Sequence, residues 1–261
     1  MTSRAKRRVA ATALAGLLVM GLAACAPHRV ARSTSSAVPF ASPAPTASPS
    51  AQVDKPKSFF NKQLYSVDDP ASLWVVVDKL RPLKPVNFVP QLVTLAVPHV
   101  SPPQMTAEAG AALVKMFAAA ASEGAGGMQD QNSYRSYAQQ VRTHNYYVNT
   151  IGDDRADAQS ARPGYSEHQT GLAIDIAAYP SKCDISACFG KLPQGIWLAK
   201  NSWRFGYTLR YPADKTAITG YIYEPWHYRY VGTVLSTEMH DTGVTTLEEF
   251  FGLPAAPDYE E

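Results

Sequence analysis

Two short stretches of this chain carry side chains whose types and spacing suit metal-assisted hydrolysis. In the first, residues 160–179, His168 sits in a polar, turn-rich segment between Pro163-Gly164 and Gly171. Further on, Asp175 falls inside the apolar run Leu172–Ala178, which reads as a strand entering the core. A carboxylate buried there without a partner is costly, so it needs a metal ion or an arginine such as Arg162 or Arg210. In the second stretch, Tyr223–Tyr230, Glu224 and His227 are three apart, and Pro225 between them opposes a continuous helix. A strand end or tight turn is predicted instead, projecting both into a cleft walled by Trp226 and tyrosines. Two His and one Asp would make an open zinc site, three protein ligands with the fourth position free. Glu224 would then be the carboxylate off the metal that takes a proton from water. On residue types alone, a structural histidine and core aromatics remain the competing reading.

The elements that must position these groups are only partly written in the sequence. Leu73–Val77 is an apolar, β-branched run predicted to be a strand or extended core segment. The Pro-rich stretch 81–103 is predicted to run extended over the surface. Thr106 and Glu108 open an Ala-rich helix to Glu123, with Leu113, Met116 and Phe117 at helical spacing and glycines at 124, 126 and 127 to end it. Further helices are predicted over Tyr137 to about Thr150 and over 191–201, and a strand over Ile218–Tyr223. The sum is a small mixed α+β domain.

With 24 basic and 22 acidic side chains, the net charge of +2 gives no electrostatic footprint for nucleic acid. No coiled-coil seam is visible, so a monomer is predicted. Arg4, Lys6, Arg7 and Arg8 precede an apolar stretch, Val9–Leu22. That stretch is shorter than the ~20 residues of a membrane-spanning helix and has the length of a signal-peptide core. It ends Leu22-Ala23-Ala24-Cys25, which resembles a bacterial lipobox with Cys25 as the lipidated residue. The expected organisation is a signal peptide over 1–25, an Ala/Pro/Ser-rich disordered linker over 26–57, and a catalytic domain over 58–261. Of three cysteines, Cys183 and Cys188 remain, and in an exported protein they are expected to close a disulfide loop.

The chemistry-bearing stretches resemble a known family. Ser166-Glu-His168-x₃-Gly171-x-Ala173-x-Asp175 is similar to the first signature of zinc D-Ala-D-Ala carboxypeptidases and dipeptidases, and Glu224-x-Trp226-His227 to the second. The wording around both, with Ser133-Tyr-Arg135-Ser-Tyr137 and Gln140 upstream, resembles the VanY-type branch over about 70–254. That resemblance implies a hedgehog/D-Ala-D-Ala peptidase-like fold: a short, mostly antiparallel sheet flanked by helices, with zinc in a cleft. It implies His168, Asp175 and His227 as zinc ligands and Glu224 as general base. Arg135 would face the substrate carboxylate or a developing oxyanion, or else pair with Asp153 or Asp154. Ser166, Gln140 and Trp226 would contact substrate, although Ser166 could equally cap the turn carrying His168.

The implied reaction is removal of the C-terminal D-Ala from peptidoglycan stem peptides, on the outer face of the cytoplasmic membrane. An L,D-carboxypeptidase or endopeptidase acting on the same stems is the near alternative. A non-catalytic wall-binding lipoprotein is the distant one; it predicts a lost ligand or base, and none is lost.

Overall fold

The helix beginning after Thr106 is the first long element. Its Ala-rich sequence favours helix, and Leu113, Met116 and Phe117 fall on one buried face. The computed structural model describes residues 60–260; the predicted signal peptide, Cys25 and the linker 26–57 lie outside the described residues. Two strands precede that helix, β1 (Val93–Thr94) inside the predicted extended stretch and β2 (Gln104–Met105) just after it, paired antiparallel. The helix itself, α1, covers Ala107–Ser122. There follow β3 (Gly127–Asn132), α2 (Tyr137–Ile151), α3 (Asp153–Asp157), β4 (Ala173–Tyr179) and α4 (Pro193–Asn201). The chain closes with β5 (Tyr207–Leu209), α5 (Thr216–Thr219), β6 (His227–Tyr230), α6 (Gly232–Thr242) and α7 (Leu247–Phe251).

β3, β4, β6 and β5 form, in that spatial order, an antiparallel sheet. The register sets the site: Asp175 on β4 lies opposite His227 at the start of β6 and, on its other side, opposite Asn132 at the end of β3. A bulge between Asp130 and Asn132 re-aims that end of β3 toward the site.

Leu73–Val77 is extended core rather than a strand, and its alternation stitches two apolar clusters together. Val75 and Val77 pack with Leu113, Met116, Ile174 and Tyr228, while Trp74 and Val76 pack with Leu235, Met239 and Phe250. The predicted helices appear as α1, α2 and α4, and the run containing Asp175 as β4. α2 begins with a capping box between Ser136 and Gln139.

The strand predicted over Ile218–Tyr223 is a correction. Ile218 lies in α5, Gly220 turns the chain at φ +77°, and the following residues bond to separate partners rather than a ladder. Ile222 N–H donates to Ala158 O and Glu224 N–H to Tyr211 O. Apolar, β-branched composition there serves the wall of a cleft instead of a sheet. Among the described residues, no helix is long and apolar enough to cross a membrane.

Candidate metal and catalytic site

Each predicted ligand is placed by a local device. His168 lies in a short 3-10 turn, Glu167–Thr170, which Gly171 ends in the left-handed region at φ +67° before β4 begins. The 133–135 segment clamps that histidine: His168 Nδ1–H donates to Ser133 O at 2.7 Å, and Arg135 N–H donates back to His168 O at 3.3 Å. Nε2 is thereby turned toward Asp175 Oδ2, 3.2 Å away. Glu224-Pro-Trp-His227 forms a turn closed by His227 N–H to Glu224 O at 3.1 Å, with proline at its second position. The predicted tight turn at a strand end is what the chain forms.

His227 Nδ1 approaches Asp175 Oδ1 at 3.0 Å and Glu224 Oε2 at 4.0 Å. One donor atom from each of His168, Asp175 and His227 lies within 4.8 Å of the others, and all three residues are buried. This donor set fits a divalent cation of the zinc type. The fit extends outward, because the far nitrogen of each imidazole meets an acceptor, Ser133 O for His168 and Glu167 Oε2 for His227.

Glu167 was not singled out from sequence, although it stands inside the signature. Its carboxylate is fully enclosed: Oε1 accepts from Arg210 Nε at 2.9 Å and from Arg229 Nη1 at 2.8 Å, and Oε2 lies 3.3 Å from His227 Nε2. Arg210 also makes a two-pronged pair with Glu248, so two buried arginines balance two buried glutamates. Arg229 also donates to the carbonyls of Val75 and Tyr230. The available signal was an arginine in each of two tyrosine-rich segments, 207–211 and 227–230, which must meet an anion when buried. Arg210 therefore serves Glu167 and Glu248, and Arg162 pairs with Asp157, so neither satisfies Asp175.

The electrostatics divide the acids into two kinds. Burial opposes ionisation of Glu167, yet Arg210 and Arg229 hold it well below the ordinary carboxylate range. Burial likewise opposes ionisation of Asp175, and His168 and His227 outweigh it. Glu224 has His227 only at 4.0 Å and accepts no hydrogen bond from an arginine among the described residues. Burial, with Asp175 and Glu167 nearby, raises it to about 8 against the pull of His227 and Arg135. Burial alone would lower His227, but its bonds to Asp175 and Glu167 raise it to about 9, so a cation must compete with that proton.

The site opens into a cleft of about 410 Å³ lined by all four predicted groups together with Arg135, Ser166 and Trp226. Arg135 pairs with neither Asp153 nor Asp154; its Nε is buried without a hydrogen-bond partner among the described residues. Ser166 makes no capping bond to the turn. Trp226 both lines the cleft and packs in the main core. Gln140 is the correction. It is fully buried outside the lining, and its amide donates to Ser160 Oγ and Ala161 O, so it supports the cleft wall instead of touching the lumen. Asn132 joins the site unpredicted, donating to Asp175 Oδ2 at 3.2 Å.

Known proteins share this arrangement of sequence and fold. The family model for VanY, D-alanyl-D-alanine carboxypeptidase, matches residues 102–233. The candidate carboxypeptidase YodJ of Bacillus subtilis (strain 168) is 36% identical over 196 residues, 72% of this chain and 70% of that protein. A D-alanyl-D-alanine carboxypeptidase of Enterococcus faecium is 44% identical over 94 residues, 36% of this chain but only 29% of that protein. Among solved structures, the LdcB LD-carboxypeptidase aligns with TM-score 0.64 at 36% identity, covering 70% of this chain and 87% of its own. A VanY D,D-pentapeptidase variant in complex with Zn(II) aligns with TM-score 0.58 at 32% identity, covering 67% and 97%. The family match spans the turn that carries His168, the strand that carries Asp175 and the turn that joins Glu224 to His227, and on it this chain belongs to the VanY D-alanyl-D-alanine carboxypeptidase family.

Proposed function

We propose that this chain is a zinc-dependent carboxypeptidase that hydrolyses the C-terminal D-Ala from peptidoglycan stem peptides. The observation that carries this reading is the convergence of His168, Asp175 and His227 beside Glu224 in a cleft that Arg135 also lines. His168 Nε2, an Asp175 oxygen and His227 Nδ1 would hold the zinc. Bound there, zinc supplies Lewis acidity, which polarises a carbonyl and brings the pKa of water toward neutrality. Glu224 removes the proton from the attacking water, holds it on its carboxylate, and delivers it to the nitrogen of the departing D-Ala as the C–N bond breaks. Arg135 presents its guanidinium to the anionic end of the substrate or to the charge developing on the carbonyl oxygen. Ser166 and Trp226 line the pocket that orients the stem.

A second reading, an L,D-carboxypeptidase trimming tetrapeptide stems, is favoured by the likeness to the LdcB structure. Incubating the zinc-loaded full chain separately with pentapeptide and tetrapeptide stems, and following product masses, decides between them. Loss of one alanine from the pentapeptide only supports the D,D reading; loss from the tetrapeptide only replaces it with the L,D reading.

The same proposal puts the domain outside the cytoplasmic membrane, tethered by lipid on Cys25 and acting as a monomer. The basic segment, the apolar stretch and Leu22-Ala-Ala-Cys25 support that location. Incorporation of a labelled fatty acid, lost in Cys25→Ala, tests it.

A further inference from the structure

The segment between β4 and α4 leaves the sheet just after the strand that carries Asp175, and the disulfide Cys183–Cys188 closes it into a small loop. Three of the residues inside that ring, Ile185, Ser186 and Ala187, line the catalytic cleft. The loop is pinned at both ends. Cys183 packs against the main core and Phe189 is fully buried in it. Gly190 approaches the base-bearing segment so closely that a Cβ there would stand 2.5 Å from Tyr223 Oη and 3.0 Å from Pro225 Cβ. Among the described residues, the only two non-glycine positions with positive φ are Cys183 at 58° and Ile185 at 46°. A β-branched residue is poorly suited to that region, and such outliers concentrate where a site requires them. Ile185 also spends its apolar side chain on exposed surface, 39% accessible, as does Ile222 at 37% on the cleft's lining. A strained, exposed isoleucine facing a binding cleft stabilises nothing evident in the folded chain itself.

We propose that this disulfide-closed loop is a substrate-binding wall, with Ile185 the apolar contact for the part of the stem peptide on the N-terminal side of the scissile bond. The inference rests on the proposed function for the identity of the ligand. It makes Ile185 a specificity-determining residue for long stems. The ring exists to hold that side chain in a backbone conformation it would otherwise leave.

The test is equilibrium binding by calorimetry to zinc-loaded full chain carrying Glu224→Gln, so that affinity is read independently of turnover. The probes are a pentapeptide stem and N-acetyl-D-Ala-D-Ala, which lacks the N-terminal part. Ile185→Asn is the main variant, because asparagine tolerates left-handed backbone and Ile185 is exposed. Its expected signature is at least a fivefold loss of pentapeptide affinity, unchanged affinity for the short probe, and a thermal midpoint equal to or above that of the parent. Cys183→Ser/Cys188→Ser should give the same selective loss of affinity. Equal losses for both probes, unchanged pentapeptide affinity in Ile185→Asn, or no pentapeptide binding by the parent would overturn the proposal. Selective binding without turnover of any stem by the wild-type chain would instead defeat the hydrolytic reading and leave the loop's role standing.

Discussion

Glu167 Oε2 stands 3.3 Å from Nε2 of His227, on the side of the imidazole away from Asp175, while the same carboxylate is gripped by Arg210 and Arg229. The signature that supplies one ligand, His168, thus also supplies the group that orients another, sixty residues away in sequence. An anchored carboxylate at Nε2 fixes the ring and its tautomer and presents Nδ1 to the metal. Glu167→Gln is expected to lower zinc affinity by about 10- to 100-fold. It also leaves two buried arginines short of a counter-charge, at a stability cost on the order of 3 kcal/mol. Chelator competition at a temperature where both proteins are folded reads the first effect, and urea denaturation the second. Lost stability with unchanged zinc affinity would reduce Glu167 to a brace for the fold.

Arg135 carries a buried Nε with no partner among the described residues, where other buried guanidinium groups are tied to acids and carbonyls. That donor is expected to be for the substrate. Arg135→Lys keeps the charge and loses the planar fork. It should reduce kcat/KM by about 10²- to 10³-fold, the size of losing one oxyanion donor, with zinc content unchanged. Steady-state kinetics with metal analysis check it, and near-normal turnover would contradict it.

Asp78 offers a pH test at a group outside the candidate ligand set. Burial raises its carboxyl from 3.8 to about 6, with Glu248 adding to the rise and the Leu80 N–H, Arg210 and Arg81 opposing it. The folded state therefore holds this proton more tightly than the unfolded chain does. The associated stability is fully present below pH 3.8 and is lost as pH rises through about 6. Asp78→Asn removes the titration while its amide oxygen can keep the bond from Leu80 N–H. Relative to wild type, the variant should gain stability between pH 4 and pH 7.5, by up to about 3 kcal/mol at about 1.36 kcal/mol per pH unit. Urea midpoints at the two pH values measure the gain, and a constant difference would refute it.

How much of this was legible beforehand depends on distance along the chain. His168, Gly171 and Asp175 belong to one turn and one strand, so their relation is local and their pattern is readable. Glu224 and His227 share a single turn, and the Pro225 between them already spoke against a helix there. Glu167 was not readable as a partner of His227 because the two are sixty residues apart and meet only through the turn that leads into β4 and the pairing of β4 with β6. Gln140 was misplaced because it falls on the side of α2 buried against Ser160 and Ala161, which no spacing from Arg135 reveals. Ile218–Tyr223 has strand composition, yet Gly220 and the demands of the cleft wall override it. β5 and β6 have too few residues for periodicity to declare them, and the six residues of β3, Gly-Met-Gln-Asp-Gln-Asn, are too polar to show an apolar alternation.

The central claim is that His168, Asp175 and His227 hold the metal while Glu224, off the metal, moves the proton. Zinc content and turnover of a stem peptide, measured together on the full chain with Glu224→Gln and with His227→Ala, test it most directly. Expected is one zinc per chain and at least a thousandfold loss of kcat in Glu224→Gln, with zinc lost in His227→Ala. Retained turnover in Glu224→Gln, or loss of its zinc, would contradict the assignment.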